Sequence, residues 1–188
     1  HSCTEHDPGP AHPESPSRLQ AVHTALTNKK FAPLVRREAP MADFDQIAAI
    51  HPAEHVDAIL KAIPVEGRTL LDGDTCVSPK SGEAARRAVG ALCEAVDAVV
   101  AKEANNAFCA VRPPGHHAEP TIPMGFCLFN SVAAGAEHAR KKHGMERAAV
   151  VDFDVHHGNG TQAMFWADQN LFFASTHQMP LYPGSGSV

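Results

Sequence analysis

Apolar residues recur every three or four positions through the first half of the chain, which is the spacing of amphipathic helices. Leu19, Val22 and Leu26, for example, fall on one face of a predicted helix. Proline, glycine and aspartate interrupt this pattern and predict the breaks between helices. The predicted helices cover residues 17–29, 43–50, 52–63 and 81–102, and residues 70–79 are predicted to form a loop.

The second half of the chain alternates short apolar runs with helical patterns. Such β-α-β alternation with near-continuous apolar strands is typical of a parallel sheet that helices bury on both faces. In open sheets of this kind, ligands gather outside the carboxyl ends of the strands. The predicted fold is therefore α/β, an open parallel sheet flanked by helices in a single domain. Its predicted strands cover 107–111, 148–153 and 171–175, and its predicted helices cover 131–143 and 161–165.

Polar side chains of the metal-binding type follow one of these strands. Residues 150–160 read Val-Val-Asp-Phe-Asp-Val-His-His-Gly-Asn-Gly. If the strand continued, its alternation would place Asp152, Asp154 and His156 on one face. Two carboxylates and an imidazole on one edge suit a divalent cation such as zinc.

A second strand end delivers two adjacent histidines. Residues 112–118 read Arg-Pro-Pro-Gly-His-His-Ala, so a rigid proline turn precedes His116 and His117. Histidine is the commonest general base in proteins. The two segments together predict a metal ion beside an acid/base pair.

Composition and charge narrow the classes of function. The 188 residues have a formal net charge of −5 and a pI near 6.2, which argues against a sequence-independent nucleic-acid binder. No stretch approaches the roughly 20 apolar residues that span a bilayer, and no signal-peptide pattern is present, so we expect a cytoplasmic protein that does not enter a membrane. The five cysteines show no metal-binding or disulfide spacing and are expected to be buried, reduced thiols.

Three motifs carry a resemblance to a known family. The segments 112–118, 125–130 (Gly-Phe-Cys-Leu-Phe-Asn) and 152–160 closely resemble the zinc-dependent histone deacetylase family, in particular its class II-like bacterial deacetylases and acetylpolyamine amidohydrolases. The likeness extends from His12-Pro13-Glu14 to the last residue. It implies the arginase-like open α/β fold and a zinc-dependent amidohydrolase that removes acetyl or other acyl groups from acyl-lysine or acylated polyamine substrates.

The resemblance implies a role for each part of the metal edge. Asp154 and His156 match two of the three zinc ligands of the family. The third ligand, an aspartate, and a tyrosine that binds the oxyanion belong to segments downstream of Val188. The resemblance therefore implies that residues 1–188 are one catalytic domain truncated at its carboxyl side, and that this chain alone is inactive.

The histidine pair would lie over the metal site. The resemblance implies that Asp152 orients His116 and that Asn159 orients His117. Some branches of the family have aspartate where this chain has Asn159. A neutral amide stabilises an imidazolium less than a carboxylate does, so the amide is expected to make His117 less basic than in that branch.

Five further positions match substrate-binding residues of the family. Gly125, Phe126 and Tyr182 resemble parts of the narrow acyl-lysine channel, although a core Phe126 and a loop Tyr182 are the alternatives. Asp74 would border the channel mouth, or it is an ordinary turn residue. Arg18 would line the cavity for acetate release, or it is a surface arginine.

The resemblance also implies a monovalent cation, potassium or sodium, beneath the zinc. Its ligands would be Asp152, Ser175 and Thr176 with the main-chain oxygens of Asp154 and His156. Reasoning from the residues alone does not identify this site.

Two rival functions stay open. A binuclear manganese ureohydrolase of the arginase type shares the fold but needs further carboxylates to bridge two metals. A non-catalytic acyl-lysine binding protein would use the same channel without cleavage. The sequence specifies neither the physiological substrate nor the oligomeric state, and a homo-oligomer stays open.

Overall fold

The computed structural model describes residues 2–187. Two short 3-10 turns, Ser2–Thr4 and Lys29–Phe31, accompany the longer elements. The α-helices are α1 (Pro16–Leu26), α2 (Phe44–Ala48), α3 (Ala53–Lys61), α4 (Ser81–Val100), α5 (Ser131–His143) and α6 (Asn159–Phe165). The strands are β1 (Thr69–Leu70), β2 (Cys76–Val77), β3 (Ala148–Asp152) and β4 (Leu171–Ser175).

Local signals at both ends explain why α5 has the bounds predicted from the sequence. The Asn130 side chain accepts a hydrogen bond from the Ala133 amide at 3.0 Å and so caps the first turn. At the other end Gly144 has a φ of 67°, the left-handed conformation that terminates many helices. The predicted helices 17–29, 43–50, 52–63 and 81–102 correspond to α1 to α4, each of which ends two or three residues before its predicted end, while α1 begins one residue early.

The strands differ more from the predictions. Strands β3 and β4 pair in parallel, from Ala148 beside Leu171 to Asp152 beside Ser175, with α6 between them in the chain. The predicted strand 107–111 is wrong, because this segment has no strand partner among the described residues. The predicted loop 70–79 instead contributes to a small antiparallel pair of β1 and β2.

The apolar core lies among α2, α3, α4 and α5. Val89 of α4 is fully buried there, and Gly90 lies so close to the backbone that an added Cβ would be 2.0 Å from the Pro40 carbonyl oxygen. Close approach of this kind lets α4 pack tightly. Other core members are Ala42, Ile47, Val56, Ile59, Val77, Leu128 and Phe129.

The expectation that the parallel sheet is buried on both faces is wrong for residues 2–187. Side chains of Val151 and Phe172 are 65% and 61% exposed, and Phe153 just beyond β3 is 86% exposed. Helix α5 contacts β3, and α6 contacts β4, but alternate positions of the two strands stay open to solvent. The apolar sequence of these strands therefore does not by itself predict burial.

Two smaller expectations can be compared directly with the structure. The five cysteines are free thiols, and all except the half-buried Cys109 are buried. None of the helices within residues 2–187 is long and apolar enough to span a bilayer.

Candidate functional site

The loop that carries the histidine pair packs against the start of α6. The Thr161 amide donates to the His116 carbonyl oxygen at 3.1 Å. A Cβ on Gly160 would lie 2.2 Å from the Ala118 carbonyl oxygen, so only glycine permits this approach. The chain thereby brings the 112–118 and 152–160 motifs together, although they are far apart in sequence.

Asp152 holds the first histidine. His116 Nδ1 lies 2.8 Å from Asp152 Oδ2, and both side chains are largely buried. The other carboxylate oxygen, Oδ1, accepts a hydrogen bond from the Asp154 amide at 3.1 Å. An added Cβ on Gly158 would lie 2.2 Å from Asp152 Oδ2, so the glycine leaves room for this carboxylate.

Asn159 holds the second histidine in one defined tautomer. His117 Nδ1 lies 2.8 Å from Asn159 Oδ1, while Asn159 Nδ2 donates to Glu119 Oε1 at 2.8 Å. Because Glu119 accepts from the amide nitrogen, the amide oxygen must face His117. The proton of a neutral His117 is therefore assigned to Nδ1, and Nε2 keeps its lone pair.

Burial sets the charge of His117, and hydrogen bonds set that of Asp152. Burial, with the nearby His116, lowers the pKa of His117 to about 4, so its imidazole is neutral near pH 7. Burial of Asp152 opposes ionisation, but hydrogen bonds from His116 and the Asp154 amide outweigh it and lower the pKa of this carboxyl. A neutral imidazole beside a His–carboxylate pair is an arrangement suited to proton transfer.

Asp154 and His156 lie in the loop after β3, not on a continued strand. The prediction that alternation places Asp152, Asp154 and His156 on one strand face is wrong, because β3 ends at Asp152. Instead the backbone bends, and Asp154 Oδ1 accepts from the His156 amide at 2.8 Å. The bend still brings the two predicted ligands side by side and leaves both partly exposed.

The spacing of these two side chains fits zinc. Asp154 Oδ1 and His156 Nδ1 are 3.2 Å apart. Two ligands at bond lengths of about 2.0–2.2 Å on a tetrahedral ion are roughly 3.4 Å apart. A carboxylate oxygen and an imidazole nitrogen are also typical zinc donors. Asp154 and His156 could therefore hold zinc together with further ligands.

A buried ion pair anchors the start of the histidine loop. The Arg112 guanidinium donates to Glu14 Oε1 at 2.7 Å and Oε2 at 2.6 Å. The same group donates to the carbonyl oxygens of Cys3 and His6 at 2.7 and 2.9 Å. Arg112 is fully buried, so its charge depends on these partners.

Two of the five predicted substrate-binding residues, Gly125 and Tyr182, lie against His117, and two more, Asp74 and Phe126, lie beside Gly125. Gly125 has a φ of 56°, and an added Cβ would lie 2.5 Å from His117 Cδ2. The Gly125 amide donates to Asp74 Oδ1 at 3.2 Å. The Tyr182 ring meets His117 edge-on, with centroids 5.0 Å apart. Phe126 lies beside Gly125 in the chain and is half-buried.

Charge and burial keep the tyrosine hydroxyl protonated. Partial burial, with the Asp74 and Asp72 carboxylates, raises the pKa of Tyr182. The fifth predicted residue, Arg18, is exposed and contacts the Val111 carbonyl oxygen at 3.4 Å and Glu14 at 3.6 Å. The structure thus connects Arg18 to the buried ion pair and not to the histidines.

The residues predicted for a monovalent cation meet at the carboxyl ends of β3 and β4. Asp152 lies beside Ser175, and the Asp152 carbonyl oxygen accepts from the Thr176 amide at 3.0 Å. The Ser175 hydroxyl lies 2.8 Å from His177 Nδ1. These contacts bring the residues together but leave their cation-binding role a prediction.

Sequence reasoning missed three residues that shape the site. Glu119 fixes the Asn159 amide, Thr75 accepts from the Phe126 amide at 3.1 Å, and Gly158 makes room for Asp152. Only Gly158 has a visible signal, because it lies within the ligand-rich run. No periodicity or spacing indicates the other two, whose partners are about 40 and 51 positions away.

Comparisons with known proteins agree with this geometry. The family described as Histone deacetylase domain matches residues 12–188. A histone deacetylase-like amidohydrolase of Pseudomonas aeruginosa is 40% identical over 173 residues, which cover 92% of this chain and 45% of that protein. An uncharacterized protein of Synechocystis sp. is 42% identical over 187 residues, which cover 97% and 61% of the two chains.

A solved structure has the same architecture. The HD domain of HDA15 superposes with a TM-score of 0.92 and 32% identity, covering 99% of this chain and 56% of that chain. The arginase/deacetylase fold predicted from the motifs is therefore confirmed. The chain spans about half the length of the curated relatives it matches.

Proposed function

The chain belongs to the histone deacetylase family, and on that premise we propose that it carries the histidine pair and two metal ligands of a zinc-dependent amidohydrolase. The proposed reaction removes acetyl or other acyl groups from acyl-lysine or acylated polyamine substrates. We further propose that residues 1–188 form part of a single catalytic domain whose remaining segments supply the third zinc ligand. The limited coverage of the relatives supports this division.

One observation carries the proposal. Two potential zinc donors, Asp154 Oδ1 and His156 Nδ1, are 3.2 Å apart, and the His156 ring centroid is 5.9 Å from that of the buried His117. A metal site beside an oriented imidazole is an arrangement that can hydrolyse an unreactive amide. When bound, zinc supplies Lewis acidity that polarises an amide carbonyl and makes water a stronger acid.

Both histidines take part in the proton transfers. Asn159 holds the Nδ1 proton of His117, which leaves Nε2 to accept the proton that the attacking water loses. The leaving amine is a poor leaving group until it takes up a proton, which an imidazolium of the pair donates. Asp152 orients His116 for the same transfers.

Residues of the proposed channel orient the acyl-lysine stem. Phe126 and Tyr182 offer aromatic faces to an apolar tether, and Gly125 permits close approach of the backbone beside His117. Asp74 accepts from the Gly125 amide and so positions this glycine. The roles proposed for Arg18 in acetate release, and for Ser175 and Thr176 in binding potassium or sodium, rest on the family resemblance.

Acetate release from an acetyl-lysine peptide and an N-acetylated polyamine tests the proposal. The complete gene-encoded polypeptide, supplied with Zn²⁺, should release acetate from one or both. Asp154→Asn and His156→Ala should each lower kcat/KM by at least about 100-fold, because outer-sphere partners alone are worth about 10–100-fold. Asp57→Asn, an exposed carboxylate on α3, is the matched control and should leave the rate unchanged.

Two results would separate the rival functions. Binding of the acetylated peptide without acetate release from either substrate would support a non-catalytic acyl-lysine reader and contradict the hydrolase. Urea release with manganese would support a ureohydrolase of the arginase type. The 188-residue chain alone should release no acetate, since we propose that a further segment completes its metal site.

A further inference from the structure

A second group of metal-binding side chains lies away from the candidate active site, where the ends of α4 and α5 meet. Asp97 belongs to the last turn of α4, and His138 and His143 belong to the last two turns of α5. One ligand atom from each residue lies within 4.8 Å of the other two. The motifs of the deacetylase site contribute no residue to this group.

The two imidazoles converge on one carboxylate oxygen. His138 Nε2 lies 2.8 Å from Asp97 Oδ1, and His143 Nε2 lies 2.6 Å from the same atom. Lys142 Nζ contacts the opposite oxygen, Oδ2, at 2.7 Å. The lysine therefore leaves the face of Oδ1 to the histidines.

The carboxyl ends of α4 and α5 and the Asp97 carboxylate place negative charge where the three side chains meet, which favours a cation. The carbonyl groups at the carboxyl end of a helix carry partial negative charge, and here the last turns of two helices meet. Burial opposes ionisation of Asp97, but hydrogen bonds from Lys142, His143 and His138 hold the pKa of Asp97 well below its usual range. The group thus presents a carboxylate and two imidazoles, which together are typical ligands of zinc.

Partial burial leaves such a site accessible to an ion from solvent. The side chains of His138, Asp97 and His143 are 9%, 28% and 19% exposed, so the group is largely buried but still reached by solvent. Ligands on a tetrahedral zinc ion are roughly 3.4 Å apart, so the present contacts of 2.8 and 2.6 Å would open by about 0.6 and 0.8 Å to admit it. Rotation of a partly exposed His143 at the helix end can supply this movement.

We propose that Asp97, His138 and His143 bind a divalent transition-metal ion of the zinc type, with water completing the coordination. The ion would replace the hydrogen-bonding protons on the two Nε2 atoms and join the carboxyl ends of α4 and α5. It would stabilise the packing of these helices, since a ligand that binds only the folded state raises its stability. The site is independent of the proposed deacetylase activity.

Metal titration of the full chain tests this site. An Asp154→Ala/His156→Ala background removes the proposed catalytic ligands, so any remaining site is elsewhere. Zn²⁺ followed by calorimetry, and Co²⁺ followed by its visible absorption, should each show one bound ion. Adding His138→Gln and His143→Gln should weaken binding by at least about 100-fold. The thermal midpoint should rise with Zn²⁺ in the background chain but not in the variant lacking both histidines.

Matched variants on the same helices serve as controls. Glu94→Gln removes a carboxylate of α4 that pairs with Arg37 instead, and it should leave the affinity for Zn²⁺ unchanged. Lys142→Gln should tighten binding, because it removes a cation from Asp97. The single variant His143→Gln, at the last residue of α5, serves where the double variant does not fold.

Two outcomes would overturn the proposal. One is the absence of Zn²⁺ binding to the background chain at millimolar metal. The other is equal affinity in the background chain and in the variants lacking the histidines. A bound ion here would also change how metal stoichiometry is interpreted, because two ions per chain would no longer indicate a binuclear ureohydrolase.

Discussion

The histidine pair and the metal-ligand loop lie side by side but are held in different ways. The side chains of His116 and Asp152 are 15% and 12% exposed, whereas those of His156 and Asp154 are 39% and 50% exposed. Hydrogen-bond partners far along the chain hold the two histidines: Asp152 holds His116, and Asn159 holds His117. In the ligand loop the side-chain bonds join residues two positions apart, and one long-range backbone bond runs from the Gln178 amide to the Val155 carbonyl oxygen at 2.9 Å.

We therefore expect substitutions around the histidine pair (the histidine half) and in the loop of Asp154 and His156 (the ligand loop) to change different properties. Substitutions among the partners of the histidine half disturb buried polar groups, so they should lower the free energy of unfolding. Substitutions in the ligand loop expose little that was buried, so they should change metal affinity with little effect on stability.

The largest loss is expected for Glu14→Gln. This change leaves the fully buried Arg112 guanidinium without its carboxylate, just before the loop that carries His116. Removing one partner of a buried ion pair typically costs about 3–5 kcal/mol. Denaturant unfolding of the wild-type and variant chains measures the loss.

Asp7→Asn is the matched control for this ion pair. Asp7 pairs with Arg68 at the surface, where both side chains are more than 40% exposed. Exposed ion pairs contribute about 0–1 kcal/mol. Equal losses from the buried and exposed pairs would show that burial does not distinguish them.

Acid should weaken the histidine half through His51. This buried imidazole bonds the Pro120 carbonyl oxygen at 3.0 Å and the Asn130 amide at 3.0 Å, so it braces the segment after His117. Burial, opposed in part by the Pro120 bond, lowers the pKa of His51 to about 4. The unfolded chain, with a histidine pKa near 6.5, therefore binds more protons than the folded chain between about pH 4 and 6.5.

The sign of the effect follows from this proton balance. The stability contributed by neutral His51 is complete above about pH 6.5, falls as the pH drops, and is lost below about pH 4. The loss is on the order of 3 kcal/mol. Measured unfolding free energies at pH 7 and pH 4 should differ less in His51→Gln, which cannot titrate. An identical pH slope in both chains would be evidence against this assignment.

A smaller loss is expected for Gly158→Ala. The added methyl would lie 2.2 Å from Asp152 Oδ2 and 3.2 Å from His116 Nδ1, so it would push this pair apart. Overpacking of this kind typically costs about 1–3 kcal/mol. Gly73→Ala, where no atom lies within 4 Å of the new methyl, is the control for the glycine substitution itself. Unchanged stability in Gly158→Ala would mean that the loop moves freely.

Sequence predicted the parts of this molecule that depend on local signals. Helix α5 has its predicted bounds because Asn130 and Gly144 mark its ends within the chain. The segment 107–111 was predicted as a strand but is not one, because a strand requires a partner that local sequence does not specify. The same limit applies to β3, where apolar residues predicted burial that the neighbouring elements do not provide.

The candidate site shows the same limit. Spacing identified the residues of the metal edge, and Asp154 does lie beside His156. The prediction rested on strand alternation, but a bend after the end of β3 is what brings Asp154 and His156 together. Glu119, which fixes the Asn159 amide from 40 positions away, has no signal in a single sequence.

The smallest effect on stability is expected for Asp154→Asn. Asp154 is half exposed, and within residues 2–187 its Oδ1 accepts from the His156 amide and lies 3.2 Å from His156 Nδ1. An amide oxygen can accept the same bonds, so the free energy of unfolding should change by no more than about 0.5 kcal/mol. Zinc affinity should nevertheless fall at least about tenfold, since the amide lacks the charge of the carboxylate. Calorimetry with Zn²⁺ on a His138→Gln/His143→Gln background, beside denaturant unfolding, separates the two effects. A large loss of stability with unchanged zinc affinity would reverse the comparison, because the ligand loop would then be part of the structural interior.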